Sequence, residues 1–226
     1  MNQLNQYLDA AVLKPEMTQH EATEAIRACI ALKTFSVCVR PCDIVLAQSL
    51  CKGSETKVCV VLGFPHGDQV PASKADEAAR YIEMGVDEID MVANYGWAKS
   101  GDWKAVSQDI TGVAKQTSAA GIPLKVIFET AQLDAAAIVR LTEICIEAGA
   151  DYVKTSTGFN GEGAKPEDVQ LMLDTAAGRI KVKASGGIRD AASAAQFIQM
   201  GVARLGVGWT SCAAICTGGT AHTNGY

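Results

Sequence analysis

The sequence predicts an α/β protein built as a (β/α)8 barrel. Three observations carry that prediction. Short apolar strands alternate with helical patterns in about eight consecutive β-then-α units. The strands are β-branched and apolar, as expected where a parallel sheet is buried on both faces. No linker or shift in composition divides the 226 residues, a length near the lower end for such a barrel. A doubly wound open sheet is the competing architecture. It more often carries Gly-x-Gly-x-x-Gly after its first strand, and none is present there.

The elements follow in order. Tyr7–Leu13 is the first strand, with Pro15 preventing its extension. Thr18-x-x-Glu21 is a capping box for a helix through Ile26, Ile30 and Leu32. Phe35–Val39 is a strand stopped by Pro41, and Asp43–Leu50 a short helix. Lys57–Leu62 is the third strand, followed by Gly63-Phe-Pro-His-Gly67 and a helix over Ala72–Met84 closed by Gly85. Glu88–Ala93, Leu124–Phe128, Tyr152–Val153, Ile180–Ala184 and Ala203–Gly206 are the remaining strands. Helices over Asp102–Ala120, Asp134–Ala148, from Pro166, Ala191–Met200 and Thr210–Cys216 separate or follow them. The barrel is expected to occupy residues 1–216 as one domain. Residues 217–226, rich in glycine and threonine, are expected to form a flexible tail.

Composition narrows the function classes. The chain is 48% hydrophobic and 20% charged, with a net charge of −5. No basic block occurs, which argues against a nucleic-acid partner. The eight cysteines contain no Cys-x-x-Cys pair, and none has metal-ligand spacing with histidine. Buried free thiols in a reducing compartment are the expected state. No basic-then-apolar leader opens the chain and no apolar run reaches membrane-spanning length. A soluble cytoplasmic protein is expected, with no metal and no cofactor.

Barrel geometry sorts the polar residues, because the C-terminal ends of all strands meet at one mouth. Asp9 lies in the first strand, Asp90 in the fourth, Glu129 after the fifth, and Lys154 at the end of the sixth. Lys181 and Lys183 share one side of the seventh, since the strand period is two. Lys183 is nearer the exit. Lys154 and Lys183 then end adjacent strands. Two ammonium groups in one low-dielectric pocket repel, so one sheds its proton more easily. A neutral lysine is the nucleophile that forms a Schiff base with a carbonyl. Two readings of Asp90, Lys154 and Lys183 stand side by side. One is a buried salt-bridge network; the other is a nucleophile with a pKa-lowering partner and a proton shuttle. Ser185-Gly186-Gly187 and Gly206-Val-Gly208 follow strands seven and eight, where many barrels bind phosphate.

Several stretches carry a resemblance. They include Leu8-Asp-x-x-x-Leu-Lys-Pro15, Gly63-Phe-Pro-x-Gly67, Glu88-Ile-Asp-Met-Val92 and Lys99-Ser-Gly101. Leu124-Lys-Val-Ile-x-Glu-Thr130, Asp151-Tyr-Val-Lys-Thr-Ser-Thr-Gly-Phe159 and Val182-Lys-Ala-Ser-Gly-Gly-Ile-Arg189 complete them. In this order, over nearly the whole chain, they resemble the 2-deoxyribose-5-phosphate aldolase family of class I, Schiff-base aldolases. The resemblance implies a TIM barrel. It implies Lys154 as the Schiff-base lysine, Lys183 as the second lysine and Asp90 as the acid/base residue. Asp9, Thr157 and Gly158 fall on the substrate side. Gly186, Gly187 and the turn from Gly206 through Gly208 to Trp209 would hold a phosphate. Some members use a C-terminal tyrosine, which here is Tyr226. Small-molecule sugar phosphates and aldehydes are the implied partners, and a homo-oligomer is compatible with the family.

The chain departs from the family pattern at three places. Ala10-Ala11 replaces His-Thr after Asp9, Arg40 replaces an asparagine before Pro41, and Trp209 stands where small hydroxyl residues are usual. Trp209 is expected to crowd the phosphate site. These departures leave two alternatives open: Schiff-base chemistry on a different or non-phosphorylated aldehyde, and a non-catalytic barrel that binds sugar phosphates.

Overall fold

The computed structural model describes residues 4–219. Eight parallel strands close on themselves in the order β1-β2-β3-β4-β5-β6-β7-β8. They are β1 (Leu8–Val12), β2 (Ser36–Val39), β3 (Lys57–Leu62) and β4 (Glu88–Val92), then β5 (Leu124–Ile127), β6 (Tyr152–Lys154), β7 (Lys181–Ser185) and β8 (Arg204–Gly208). The helices are α1 (Gln19–Ala31), α2 (Ile44–Cys51), α3 (Pro71–Glu83), α4 (Tyr95–Lys99) and α5 (Trp103–Ala120), then α6 (Ala135–Ala148), α7 (Pro166–Ala176), α8 (Ala191–Met200) and α9 (Trp209–Thr217). The expected barrel is therefore the observed one.

Local chemistry sets the element ends. Thr18 and Glu21 form the capping box of α1. Asp102, Asp134 and Asp190 cap α5, α6 and α8 by accepting from backbone N–H groups. Gly121, Gly149 and Gly201 end those helices in left-handed conformation. One short helix, α4, was not anticipated. Asn94 caps it by accepting from Trp97 N at 3.0 Å. With only 5 residues, it is too short to show helical periodicity. Several boundaries shift by one or two residues. Strand β8 runs on through Gly208 and α9 through Thr217, beyond the expected stops at Gly206 and Cys216.

The strand period divides the residues cleanly. Leu8, Ala10, Val12, Ile89, Met91, Leu124, Val126, Val182 and Ala184 belong to the large apolar core shared with the helices. Their neighbours Asp9, Glu88, Asp90, Lys125 and Lys183 are buried too, so they face the barrel interior. The interior is thus half ionic. Its other half is a small apolar cluster of Ala11, Leu13, Cys38, Cys59 and Val61, with Phe64 and Phe159 packed against it. Filling a barrel centre with charges is costly unless each is paired. The pairing defines the site.

Candidate active site

Asp90 is the hub. Its Oδ1 accepts from Lys125 Nζ at 2.7 Å and its Oδ2 from Lys154 Nζ and Lys183 Nζ, both at 2.8 Å. Cys59 Sγ also donates to Oδ1 at 3.2 Å. Strand register makes this convergence possible: Asp90 pairs with Lys125, and Lys154 with Lys183. Beneath the hub, Lys183 also meets Asp9 Oδ2 at 2.6 Å. Lys125 meets Glu88 at 2.7 Å. Arg204 joins Asp9 at 2.8 Å and Glu88 at 3.2 Å.

Lys154, Lys183 and Asp90 are therefore brought together, as expected from their strands. Lys181 is not. It lies exposed at the start of β7, with its ammonium over the Tyr152 ring, so it is a rim residue at the far end from the mouth. Lys125, Glu88 and Arg204 were not singled out from the sequence. The available clue was alternation. In Glu88-Ile-Asp90 the charged residues share one side of a strand whose other side is apolar, which is the pattern of a polar barrel interior.

The charges explain which groups stay ionised. Burial opposes ionisation of Asp90, but Lys125, Lys154 and Lys183 outweigh it and hold the carboxyl well below its usual range. Asp9 is lowered in the same way, by Lys183, Lys125 and Arg204 against its burial. Burial pulls Lys183 down, yet Asp9 and Asp90 hold its ammonium above the ordinary lysine range. Asp90, Cys59, Asp9 and Glu88 do the same for Lys125. Four bases (Lys125, Lys154, Lys183, Arg204) face three acids (Asp9, Glu88, Asp90). The set balances when one base is neutral.

These shifts set a pH dependence of stability. Asp9 and Asp90 titrate lower in the folded chain than the unfolded value of about 4. Their contribution is full above that value and drains away as the pH falls. Lys125 and Lys183 titrate higher in the folded chain. Theirs is full below the unfolded value of about 10.4 and is lost as the pH climbs past it. Urea midpoints measured across pH are expected to drop steeply on the acid side of about pH 4. A midpoint that rises there would contradict the assignment.

Beside the hub lies a cavity of ≈ 230 Å³ lined by Gly158, Gly187, Gly206 and Gly208, with Gly163 and Arg189 among the other lining residues. Its glycines let backbone approach a ligand closely. A Cβ on Gly206 would lie 2.5 Å from Ser185 Cβ and 3.2 Å from Lys183 Cε, so the cavity floor rests directly on the second lysine. Helix α9 begins at its edge without a side-chain cap on Gly208, leaving backbone N–H groups for an anion. Gly186 stands one step back, supporting the wall: Ala164 N donates to its carbonyl at 3.1 Å. Trp209 does not line the cavity; it packs against the main core. The expected crowding is not seen in the cavity lining, because Trp209 packs on the main core instead.

The other expected residues are distributed as follows. Asp9 lies below Lys183, its Oδ1 accepting from Ser36 and Arg204 and its Oδ2 ion-paired with Lys183. Thr157 is buried and donates to Glu129. Tyr226 lies outside the described residues. Cys38, Cys59 and Asp90 form the one group with metal-ligand spacing among the described residues. A cation there would meet three lysines already crowded on Asp90.

A closed parallel barrel with lysines gathered on one interior carboxylate, opening beside a glycine-lined cavity, has the features of an aldolase of the lysine-dependent class. The DeoC/LacD family aldolase model matches residues 4–217, and the chain belongs to that family. A deoxyribose-phosphate aldolase of Mannheimia succiniciproducens is 41% identical over 99% of this chain and 98% of its own. The solved aldolase QR15 superposes with a TM-score of 0.89 at 39% identity, covering 96% of each chain. The deoxyribose phosphate aldolase of Aeropyrum pernix, described as tetrameric, superposes with a TM-score of 0.86 at 29% identity over 95% of this chain and 89% of its own. The chain is accordingly an enzyme, a carbon–carbon lyase acting on small molecules. Among the described residues no helix is long and apolar enough to cross a membrane.

Proposed function

We propose that this chain is a deoxyribose-phosphate aldolase. It cleaves 2-deoxy-D-ribose 5-phosphate reversibly to D-glyceraldehyde 3-phosphate and acetaldehyde. The observation that carries this reading is the placement of three lysines on one carboxylate beside an anion cavity. Of the three, Lys154 alone reaches solvent, at 4% exposure against 0% for Lys125 and Lys183. Lys125 and Lys183 also have second carboxylates of their own, Glu88 and Asp9. Lys154 has only its share of Asp90, so of the three it is the least held by carboxylates and the one free to meet a carbonyl.

Lys154 Nζ attacks the C1 aldehyde of the open-chain sugar, giving a carbinolamine. Loss of water gives an iminium, which accepts the electron pair released when the C2–C3 bond breaks. Asp90, directly or through one water, moves the protons for carbinolamine dehydration and for the C3 hydroxyl. The C3 hydroxyl loses its proton and becomes the aldehyde of glyceraldehyde 3-phosphate. The enamine left on Lys154 takes a proton at C2, and hydrolysis then frees acetaldehyde. Asp90 takes up a proton only transiently, from the attacking amine or the C3 hydroxyl, and passes it on; Lys183 and Lys125 stay cationic and favour its return to the ionised form. The phosphate binds at the glycine-lined cavity, with Arg189 as a cationic wall. Residues 1–216 act as one catalytic unit in this scheme, and the tetramer of the Aeropyrum pernix relative supports a homo-oligomer.

A coupled assay following glyceraldehyde 3-phosphate release is expected to show cleavage of deoxyribose 5-phosphate. The phosphorylated sugar should be preferred over 2-deoxyribose by at least about tenfold in kcat/KM. Equal kcat/KM for the two sugars would favour the non-phosphorylated alternative instead.

A further inference from the structure

Glu129 follows β5 by two residues at the barrel mouth, and the chemistry above does not use it. It is a non-glycine residue in left-handed conformation, φ +58°, a strained choice for a glutamate. Its side chain is fully buried, and among the described residues it has no cationic partner. A buried carboxylate without a cation is costly unless hydrogen bonds satisfy it. Among the described residues its side-chain donors are neutral, and they come from one segment, the loop that joins β6 to α7. Thr157 N donates to Oε1 at 3.2 Å, Thr157 Oγ1 donates to Oε2, and Asn160 Nδ2 donates to Oε2 at 3.1 Å.

That loop has two functions at once. It starts at Lys154, and further on it supplies Gly158, Gly161, Glu162 and Gly163 to the anion cavity. It is pinned on both flanks. On the β7 side Gly163 lies against Gly186 so closely that a Cβ would fall 2.2 Å from the Gly186 carbonyl. On the β5 side the pin is Glu129, extended through Asn160 Nδ2 to the Pro65 carbonyl at 2.7 Å. Lys154 itself is held independently, by the β6 ladder and by Asp90. Loosening the Glu129 pin therefore moves the cavity wall and leaves the reacting amine in place.

We infer that Glu129 is a positioning residue that sets the preference for a phosphorylated sugar by holding the β6–α7 loop against the anion cavity, given the deoxyribose-phosphate reading of the same site. The test compares wild type, Glu129→Gln and Asn160→Ala on 2-deoxyribose 5-phosphate and on 2-deoxyribose. Glutamine keeps the shape but offers one acceptor oxygen where the carboxylate offers two, and turns an NH₂ group toward the loop's donors. In Glu129→Gln the phosphate preference in kcat/KM is expected to fall about tenfold, chiefly through a higher KM for the phosphorylated sugar. Turnover of 2-deoxyribose should stay within about twofold of wild type. Asn160→Ala, which removes one of the three donors, should show the same split at a smaller size. It carries the test if Glu129→Gln does not fold. Equal losses on both sugars would overturn the inference, because a general structural role or a role in the chemistry predicts that result. An unchanged preference would overturn it as well. A wild-type enzyme without phosphate preference would overturn the substrate reading, and this inference with it.

Discussion

Replacing Lys154 by methionine is expected to lower kcat by on the order of 10⁴-fold or more, the scale seen when a covalent nucleophile is removed. Binding of a sugar phosphate should survive. The glycine-lined cavity takes no side chain from Lys154, so the KM or Kd for the phosphorylated sugar should move little. The methionine is also tolerable structurally. Lys154 is the only one of the hub lysines with a single carboxylate partner, and its loss leaves Asp90 with Lys125 and Lys183. With three cations then facing three acids, the interior is balanced. Urea unfolding of the variant should therefore match or exceed wild type. A variant that keeps even about a tenth of wild-type kcat would exclude Lys154 as the nucleophile.

The opposite pattern is expected at the hub. Asp90→Asn preserves shape but removes the charge that three lysines share. It also turns an NH₂ group toward at least one ammonium. Breaking a buried ion cluster by removing one partner costs about 3–5 kcal/mol, because the remaining charges stay buried without compensation. The same change removes the proposed acid/base group, worth about 10²–10⁴ in rate. Both losses should appear together, as a lower urea midpoint and a kcat reduced by about 10³-fold. Lys154→Met and Asp90→Asn thus separate a nucleophile from the group that organises it. A stable, active Asp90→Asn enzyme would remove Asp90 from the chemistry and from the fold.

The parts of this site differ in how far the sequence reveals them. The barrel was legible because the β-then-α alternation is continuous and several helices carry recognisable caps, such as Thr18, Asp102, Asp134 and Asp190. Lys154, Lys183 and Asp90 could be gathered from their strands and the period of two, but position left a salt-bridge network and a catalytic set side by side; only the family resemblance assigned their roles. Lys125, Glu88 and Arg204 were not legible, although two of them lie in stretches that matched the family. Each sits low in its strand, and which interior residues meet across a barrel depends on strand stagger, which sequence spacing does not show. Lys181 was grouped with Lys183 by the period of two, but its position at the start of β7 puts it outside the buried layer. Trp209 illustrates the same limit. Its place after β8 suggested crowding of the phosphate site, while it packs on the main core instead. Glu129 was visible only as a carboxylate after β5. Its backbone conformation and its hold on Thr157 and Asn160 arise from contacts about 30 residues apart.

The most direct test is reductive trapping. The enzyme is incubated with acetaldehyde and borohydride, its intact mass is measured, and the modified peptide is mapped. One added ethyl group per chain is expected, on the peptide that carries Lys154, and it should be missing from Lys154→Met. An adduct on Lys183 or Lys125 with Lys154 unmodified, or no adduct at all, would contradict the assignment of Lys154 as the Schiff-base lysine.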